Sequence, residues 1–211
     1  MAQTIIVADD HPLFRAALKQ AVSQAVPDAE TVEVDSIKAL QAAVESHPDA
    51  DLVLLDLNMP GAHGFSGLVF MRGQYPGLPV VVVSGSEELQ VMRRSIDYGA
   101  SGFIPKSAPL PTITEAIQAV LEGDVWLPAG VAEKIERMHS DATDFSEKLA
   151  SLTPQQFRVL GMLAEGLLNK QIAYDLDVSE ATIKAHITAV FRKLGVRNRT
   201  QAVFAIQQME I

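Results

Sequence analysis

The sequence predicts a doubly wound α/β fold with a five-stranded parallel sheet, followed by a smaller all-α unit of four helices. Three observations carry this. Over residues 1–123, short runs that are apolar throughout alternate with segments of helical spacing. From 151 to 211 only capped helical segments occur. Charge divides along the same line: 1–123 holds 7 Lys+Arg against 15 Asp+Glu, whereas 151–211 holds 7 against 5.

The strand-like runs are Thr4–Ala8, a weaker Thr31–Val34, then Asp51–Leu55, Val80–Val83 and Gly102–Ile104. Uninterrupted apolar runs suit strands covered on both faces, as in a parallel sheet. After the first run, Leu13, Phe14, Ala17, Leu18, Ala21 and Val22 fall on one helical face. Ser36 is placed to cap a helix carrying Ile37, Leu40, Ala43 and Val44. Further helices are expected near Gly64–Gly73, Glu87–Tyr98 and Pro109–Leu121, completing five β–α units.

Residues 124–150 read as a connector, opened by Trp126-Leu127-Pro128. A short helix is expected over Val131–Met138. The polar tract His139–Glu147 has no apolar period and reads as an exposed hinge. Thr153-Pro154-Gln155-Gln156 then forms a capping box with Pro at the first helical position. That helix should run to Glu165 and stop at Gly166. Asn169 and Ser179 are placed to cap the next two, and Thr200 opens the last. The pair around Asp175–Val178 is a helix-turn-helix candidate.

Composition narrows the chemistry. The chain has 211 residues and no cysteine, which excludes a disulfide framework, a thiolate zinc site and a cysteine nucleophile. Its start lacks a basic region and a long apolar run, and no stretch approaches the roughly 18 apolar residues of a membrane span. We expect a soluble cytoplasmic protein with no membrane partner. The net charge of −9 conceals a tail with no acid from Ala181 to Met209 and five bases: Lys184, Arg192, Lys193, Arg197 and Arg199.

In an open α/β sheet, ligands bind at the carboxyl ends of the strands. Those ends carry Asp9-Asp10, Asp56, Ser84 and Lys106. Convergent carboxylates repel unless a cation intervenes, and oxygen-only donors favour a hard ion such as Mg²⁺. An ionised Asp can attack phosphorus and form an aspartyl phosphate. Asp56, alone at the end of the most uniformly apolar strand, suits that role. Asp9 and Asp10 suit metal holding, and Ser84 and Lys106 could stabilise phosphoryl oxygens.

Residues 1–123 resemble a bacterial response-regulator receiver domain, with its flavodoxin-like sheet. The resemblance rests on Val7-Ala8-Asp9-Asp10-His11-Pro12, Asp56-Leu57-Asn58-Met59-Pro60-Gly61 with Gly64, Ser84-Gly85, and Gly99-Ala100-Ser101-Gly102-Phe103-Ile104-Pro105-Lys106. It implies that a sensor histidine kinase phosphorylates Asp56. It also implies Mg²⁺ held by Asp10, Asp56 and the backbone carbonyl of Asn58, with Asp9 in support. Ser84 and Phe103 take the family's two switch positions. His63 stands where relatives often have Asp, and Ser107 where many have Pro.

In the tail, the predicted helix Glu180–Leu194 gathers Ile183, Ile187, Val190, Phe191 and Leu194 on one face. The other shows Ala181, Ala185, Thr188 and Arg192, flanked by Lys184. Small residues with a few donors suit a major groove, and Arg192, Lys193, Arg197 and Arg199 could reach phosphates. The segments Leu152-Thr153-Pro154, Gly166-Leu167-Leu168-Asn169-Lys170-Gln171-Ile172-Ala173, Ser179-Glu180-Ala181-Thr182-Ile183-Lys184-Ala185-His186 and Leu194-Gly195-Val196 resemble the LuxR-type helix-turn-helix. The resemblance implies that Lys184, Ala185 and Thr188 read bases. It places Thr182, Asn169, Lys170 and Arg199 near phosphates and makes the last helix a dimer contact. Gln156 replaces the family's usual Glu, and Thr188 a residue that is basic in some relatives.

Together the halves resemble the NarL/FixJ-type response regulators: a receiver (1–123), a partly helical linker (124–150) and a DNA-binding domain (151–211). The function implied is a transcription regulator switched by phosphorylation of Asp56 with coupled homodimerisation on paired half-sites of double-stranded DNA. Slow self-hydrolysis of the aspartyl phosphate is expected, without an outside substrate. An alternative is a phosphorylation-independent DNA binder using the receiver only to dimerise. An aspartate-nucleophile phosphatase would usually carry a second Asp where Asn58 stands. An autoinducer-binding LuxR protein should lack the acids at 9, 10 and 56 and the lysine at 106.

Overall fold

The computed structural model describes residues 3–137, 144–207 and 209. The first half runs β1 (Thr4–Ala8), α1 (Pro12–Ala25), β2 (Glu30–Val34), α2 (Ile37–Ser46), β3 (Leu52–Asp56), α3 (Ser66–Gln74), β4 (Val80–Ser84), α4 (Leu89–Asp97), β5 (Gly102–Pro105) and α5 (Leu110–Leu121). All pairings are parallel, in the order β2-β1-β3-β4-β5. The order reverses beside β1, so the ends of β1 and β3 flank the crevice where such sheets bind ligands.

Alternation within each strand builds two apolar layers. Ile5, Val7, Leu52, Leu54, Val81 and Ile104 pack with Leu18, Val22, Ile113 and Ile117 of α1 and α5. Ile6, Ala8, Val53, Leu55, Val82 and Phe103 face α2, α3 and α4 through Leu40, Phe70 and Met92. The edge strand β2 is the least buried, which explains its weaker apolar pattern.

The second half holds α8 (Pro154–Ala164), α9 (Asn169–Asp175), α10 (Glu180–Leu194) and α11 (Arg199–Gln207). Its own core is Val159, Leu163, Ile172, Ala173 and Ile183. The expected caps form at Ser36, Ser179 and Thr153, where Gln156 completes the capping box. Asn169 is different: it is the first helical residue, and the preceding Leu168 donates its N–H to Gln171 Oε1 at 2.7 Å. The Gln171 side chain thus satisfies the N–H of the N-cap Leu168, a different bond from the one expected of Asn169.

The connector also departs from expectation. Trp126 bridges Gly102 and prolongs the sheet beyond β5. The first connector helix is only α6 (Ala132–Ile135). The last residues of the tract expected to be a hinge, Asp144–Glu147, instead open the helix α7 (Asp144–Ala150), which packs on α3 and buries Leu149. Residues 138–143, the rest of the expected hinge and the end of the expected first helix, lie outside the described residues.

The two halves are docked. Phe157 of α8 stacks on Phe70 of α3, with ring centroids 4.2 Å apart and 18° between planes. Gln74 Nε2 donates to the carbonyls of Ala150 (3.1 Å) and Leu152 (2.8 Å), and Phe65 N–H donates to the Met209 carbonyl (2.9 Å). At Gly161 of α8 a Cβ would stand 2.8 Å from the Gly61 carbonyl oxygen. No larger residue fits there without moving backbone. Phe157, Leu160, Val190, Ala202, Ile206 and Met209 thus join the core behind β1, β3 and β4.

Candidate functional site

Asp9 follows β1, Asp56 ends β3, Ser84 ends β4 and Lys106 follows β5, so four strand ends deliver the pocket. Asp9, Asp56 and Ser84 are buried. Lys106 Nζ lies 2.6 Å from Asp9 Oδ2 and 2.9 Å from Asp56 Oδ2. The other Asp56 oxygen accepts the Asn58 N–H at 3.2 Å. Ser84 Oγ accepts the Ser86 N–H at 3.2 Å. The Asp10 side chain is a third exposed. A cleft of about 510 Å³, lined by His11, Phe14, Asp56, Asn58, Gly85 and Lys106, leads to the carboxylates.

Burial alone would lower the Lys106 ammonium. Its hydrogen bonds to Asp9 and Asp56, and their negative charges, outweigh that and hold it above its ordinary 10.5. Because the folded value exceeds the unfolded one, the stabilisation is full below pH 10.5 and is lost as pH rises through the folded value. We expect Lys106→Met to flatten the alkaline limb of the stability profile in pH-dependent urea melts. An unchanged limb would show that the lysine is not coupled to the acids.

Two residues that sequence reasoning assigned no role also shape the pocket. The His11 ring sits among the acids: Nδ1 is 2.7 Å from Asp10 Oδ1, 3.3 Å from Asp9 Oδ1 and 4.0 Å from Asp56 Oδ2. Arg15 Nη1 donates to the Asp9 carbonyl at 2.6 Å, bracing the turn after β1. The signal for His11 was present as its adjacency to the acid pair. Asp9, Asp10, His11 and Asp56 offer ligand atoms all within 4.8 Å of one another. Carboxylates in this density, with one lysine as counter-charge, fit a divalent cation such as Mg²⁺. Phe103 is fully buried in the layer facing α3 and α4, and its N–H donates to the Trp126 carbonyl.

In α10, Thr182, Lys184, Ala185, Thr188 and Arg192 are all exposed, although the two halves are docked. Lys184 pairs with Glu180 one turn earlier (3.2 Å), and Thr188 Oγ1 donates to the Lys184 carbonyl. Lys170 is exposed and Asn169 half-buried. Lys193 and Arg199 are engaged within the protein: Lys193 Nζ donates to the Ser151 carbonyl (2.7 Å) and Arg199 Nη2 to that of Leu163 (2.8 Å). Among the described residues, no helix is long and apolar enough to cross a membrane.

Residues 5–118 match the response regulator receiver domain, and residues 150–206 match the bacterial regulatory proteins of the luxR family. The glycerol metabolism activator of Pseudomonas putida is 43% identical over 206 residues, covering 95% of this chain and 93% of that protein. The nitrate/nitrite response regulator protein NarL of Escherichia coli is 30% identical over 209 residues, covering 99% and 96%. RcsB from Salmonella enterica serovar Typhimurium, solved bound to a promoter with a phosphomimetic, shares the fold at a TM-score of 0.57 and 24% identity, covering 98% of each chain. A receiver and a LuxR-type domain in one chain, with relatives alike along their whole length, place this protein among the NarL-like response regulators of two-component systems, which carry a DNA-binding domain.

Proposed function

We propose that Asp56 accepts a phosphoryl group from a sensor histidine kinase and that the modified protein pairs on DNA. The observation that carries this is the Asp9–Lys106–Asp56 constellation at the base of an open cleft. In the transfer, an Asp56 carboxylate oxygen bonds phosphorus as the phosphorus–nitrogen bond of the kinase phosphohistidine breaks. The electron pair returns to the imidazole. Asp9, Asp10, Asp56 and the main-chain carbonyl of Asn58 would hold Mg²⁺, which when bound neutralises phosphoryl charge. Lys106 Nζ, already 2.9 Å from Asp56, donates to one phosphoryl oxygen, and the Ser84 hydroxyl donates to another. Hydrolysis of the aspartyl phosphate resets the protein, and no outside substrate is turned over.

The output runs from Ser84 and Phe103 to the receiver surface, as a local charge change biasing a two-state element. Units 1–123, 124–150 and 151–211 act as input, connector and output in the cytoplasm. Lys184, Ala185 and Thr188 read base edges. Thr182, Asn169, Lys170, Arg192, Lys193 and Arg199 meet phosphates, Lys193 and Arg199 after exchanging their present carbonyl partners. Two copies joined through α11 bind paired half-sites.

A second reading is favoured by one observation: the base-reading side chains are exposed in the docked, unmodified protein. On that reading DNA binding needs no phosphorylation and the receiver only dimerises. Intact mass and light scattering on one sample with Mg²⁺ and acetyl phosphate, beside Asp56→Asn, separate the two. We expect one phosphoryl group and a shift toward dimer in the wild type only. Phosphoryl gain with unchanged mass in solution and unchanged DNA affinity would favour the second reading.

A further inference from the structure

We propose that His11 is a nitrogen ligand of the pocket's metal site, which makes the site selective for borderline transition-metal ions over Mg²⁺. The proposal rests on the reading of Asp9, Asp10 and Asp56 as a cation site and adds to it a donor of a different kind. The geometry points to it directly. Two ligands of one ion, each about 2.1 Å from it, can be no more than about 4.2 Å apart. His11 Nδ1 stands 2.7, 3.3 and 4.0 Å from oxygens of Asp10, Asp9 and Asp56, inside that limit for all three. The distances thus meet the condition for one ion to be shared by the imidazole and the carboxylates, with side-chain rotation needed to draw the donors around it.

The local backbone explains why the ring is there. His11 is the extended N-cap residue of α1, directly before Pro12, and its own N–H donates to Asp9 Oδ1 at 2.7 Å. The residue is thus tied to one of the acids its ring faces. Its side chain makes no capping bond and is 64% exposed. Removing the ring leaves α1 capped as before, and water has access to complete a coordination shell. Imidazole is a good ligand for Ni²⁺, Co²⁺ and Zn²⁺, whereas Mg²⁺ prefers oxygen and retains its waters. Ni²⁺ should engage His11 and Mg²⁺ should leave it aside.

The test uses untagged full-length protein titrated with Mg²⁺ and with Ni²⁺ by calorimetry, and loaded with one equivalent of Cu²⁺, a paramagnetic ion that favours imidazole, for pulsed electron paramagnetic resonance. The variants are His11→Ala and Asp10→Asn. In His11→Ala we expect Ni²⁺ to bind at least about tenfold more weakly while Mg²⁺ affinity holds. Nitrogen coupling to Cu²⁺ at one equivalent should be present in the wild type and lost in His11→Ala. Asp10→Asn should weaken both ions, which separates this pocket from other histidines of the chain. Equal Ni²⁺ affinity in wild type and His11→Ala, or no nitrogen coupling, would overturn the role of His11 and leave the carboxylate site standing. Retention of both ions in Asp10→Asn would remove the carboxylate site itself, and the proposal with it.

Discussion

Phe157→Ala is expected to lower the stability of the full chain by about 3–5 kcal/mol and to separate its halves. Phe157 is fully buried, and its partner across the junction is Phe70 of the receiver. Truncation removes the stack and leaves a cavity between two rigid helices that cannot close over it. Small-angle scattering should report a longer particle, and denaturant melts should change from one transition to two. Gly161→Ala tests the same junction with a sign of its own. In a fragment spanning 144–211, alanine should stabilise α8 by up to about 1 kcal/mol, because glycine is a poor helix former. In the full chain the added Cβ meets the Gly61 carbonyl and should loosen docking. The same sign in both contexts would show that the halves do not dock through this contact.

Lys106→Ala is expected to slow phosphoryl uptake from acetyl phosphate by about 10²–10³-fold, the usual cost of removing one preorganised donor from developing charge. Mg²⁺ affinity should not fall, since the substitution removes a cation that competes for Asp9 and Asp56. Uptake measured by intact mass over time, beside Mg²⁺ titration of the same variant, reads both effects. A variant with normal uptake would make the lysine a structural counter-ion only. A variant that loses Mg²⁺ binding in proportion would mean that the pocket had collapsed.

The receiver half was legible because its physics is local. Runs such as Val80–Val83 have few alternatives to a strand covered on both sides, and the acids at strand ends follow from chain order alone. Boundaries moved by about one residue: β3 runs Leu52–Asp56, since Asp56 still pairs in register with Val83 before the chain turns. Asn169 is a good N-cap by residue type, yet the helix starts at Asn169 itself, with Leu168 as N-cap and Gln171 reaching back to the Leu168 N–H. Helix α7 was missed for a different reason. Asp144–Ala150 is short and mostly polar, and its stability comes from α3, which no local window contains. Docking was equally hidden, because an apolar Phe157 reads the same whether it faces its own domain or another. His11 was in plain view in sequence, but only the extended backbone before Pro12 turns its ring among the acids.

The Phe70–Phe157 stack means that the α3 face of the receiver is already taken by a tethered competitor. A covalently linked neighbour acts at an effective concentration on the order of millimolar when its linker is short and spans the gap. A free protein that wanted this face would have to outbind that, whatever its intrinsic affinity. The open side of the acidic pocket is the cleft mouth, where Leu13 stands 90% exposed beside His11 on α1, in the layer across the sheet from α3. The docked tail thus leaves one approach to Asp56 uncontested while denying the α3 face to others.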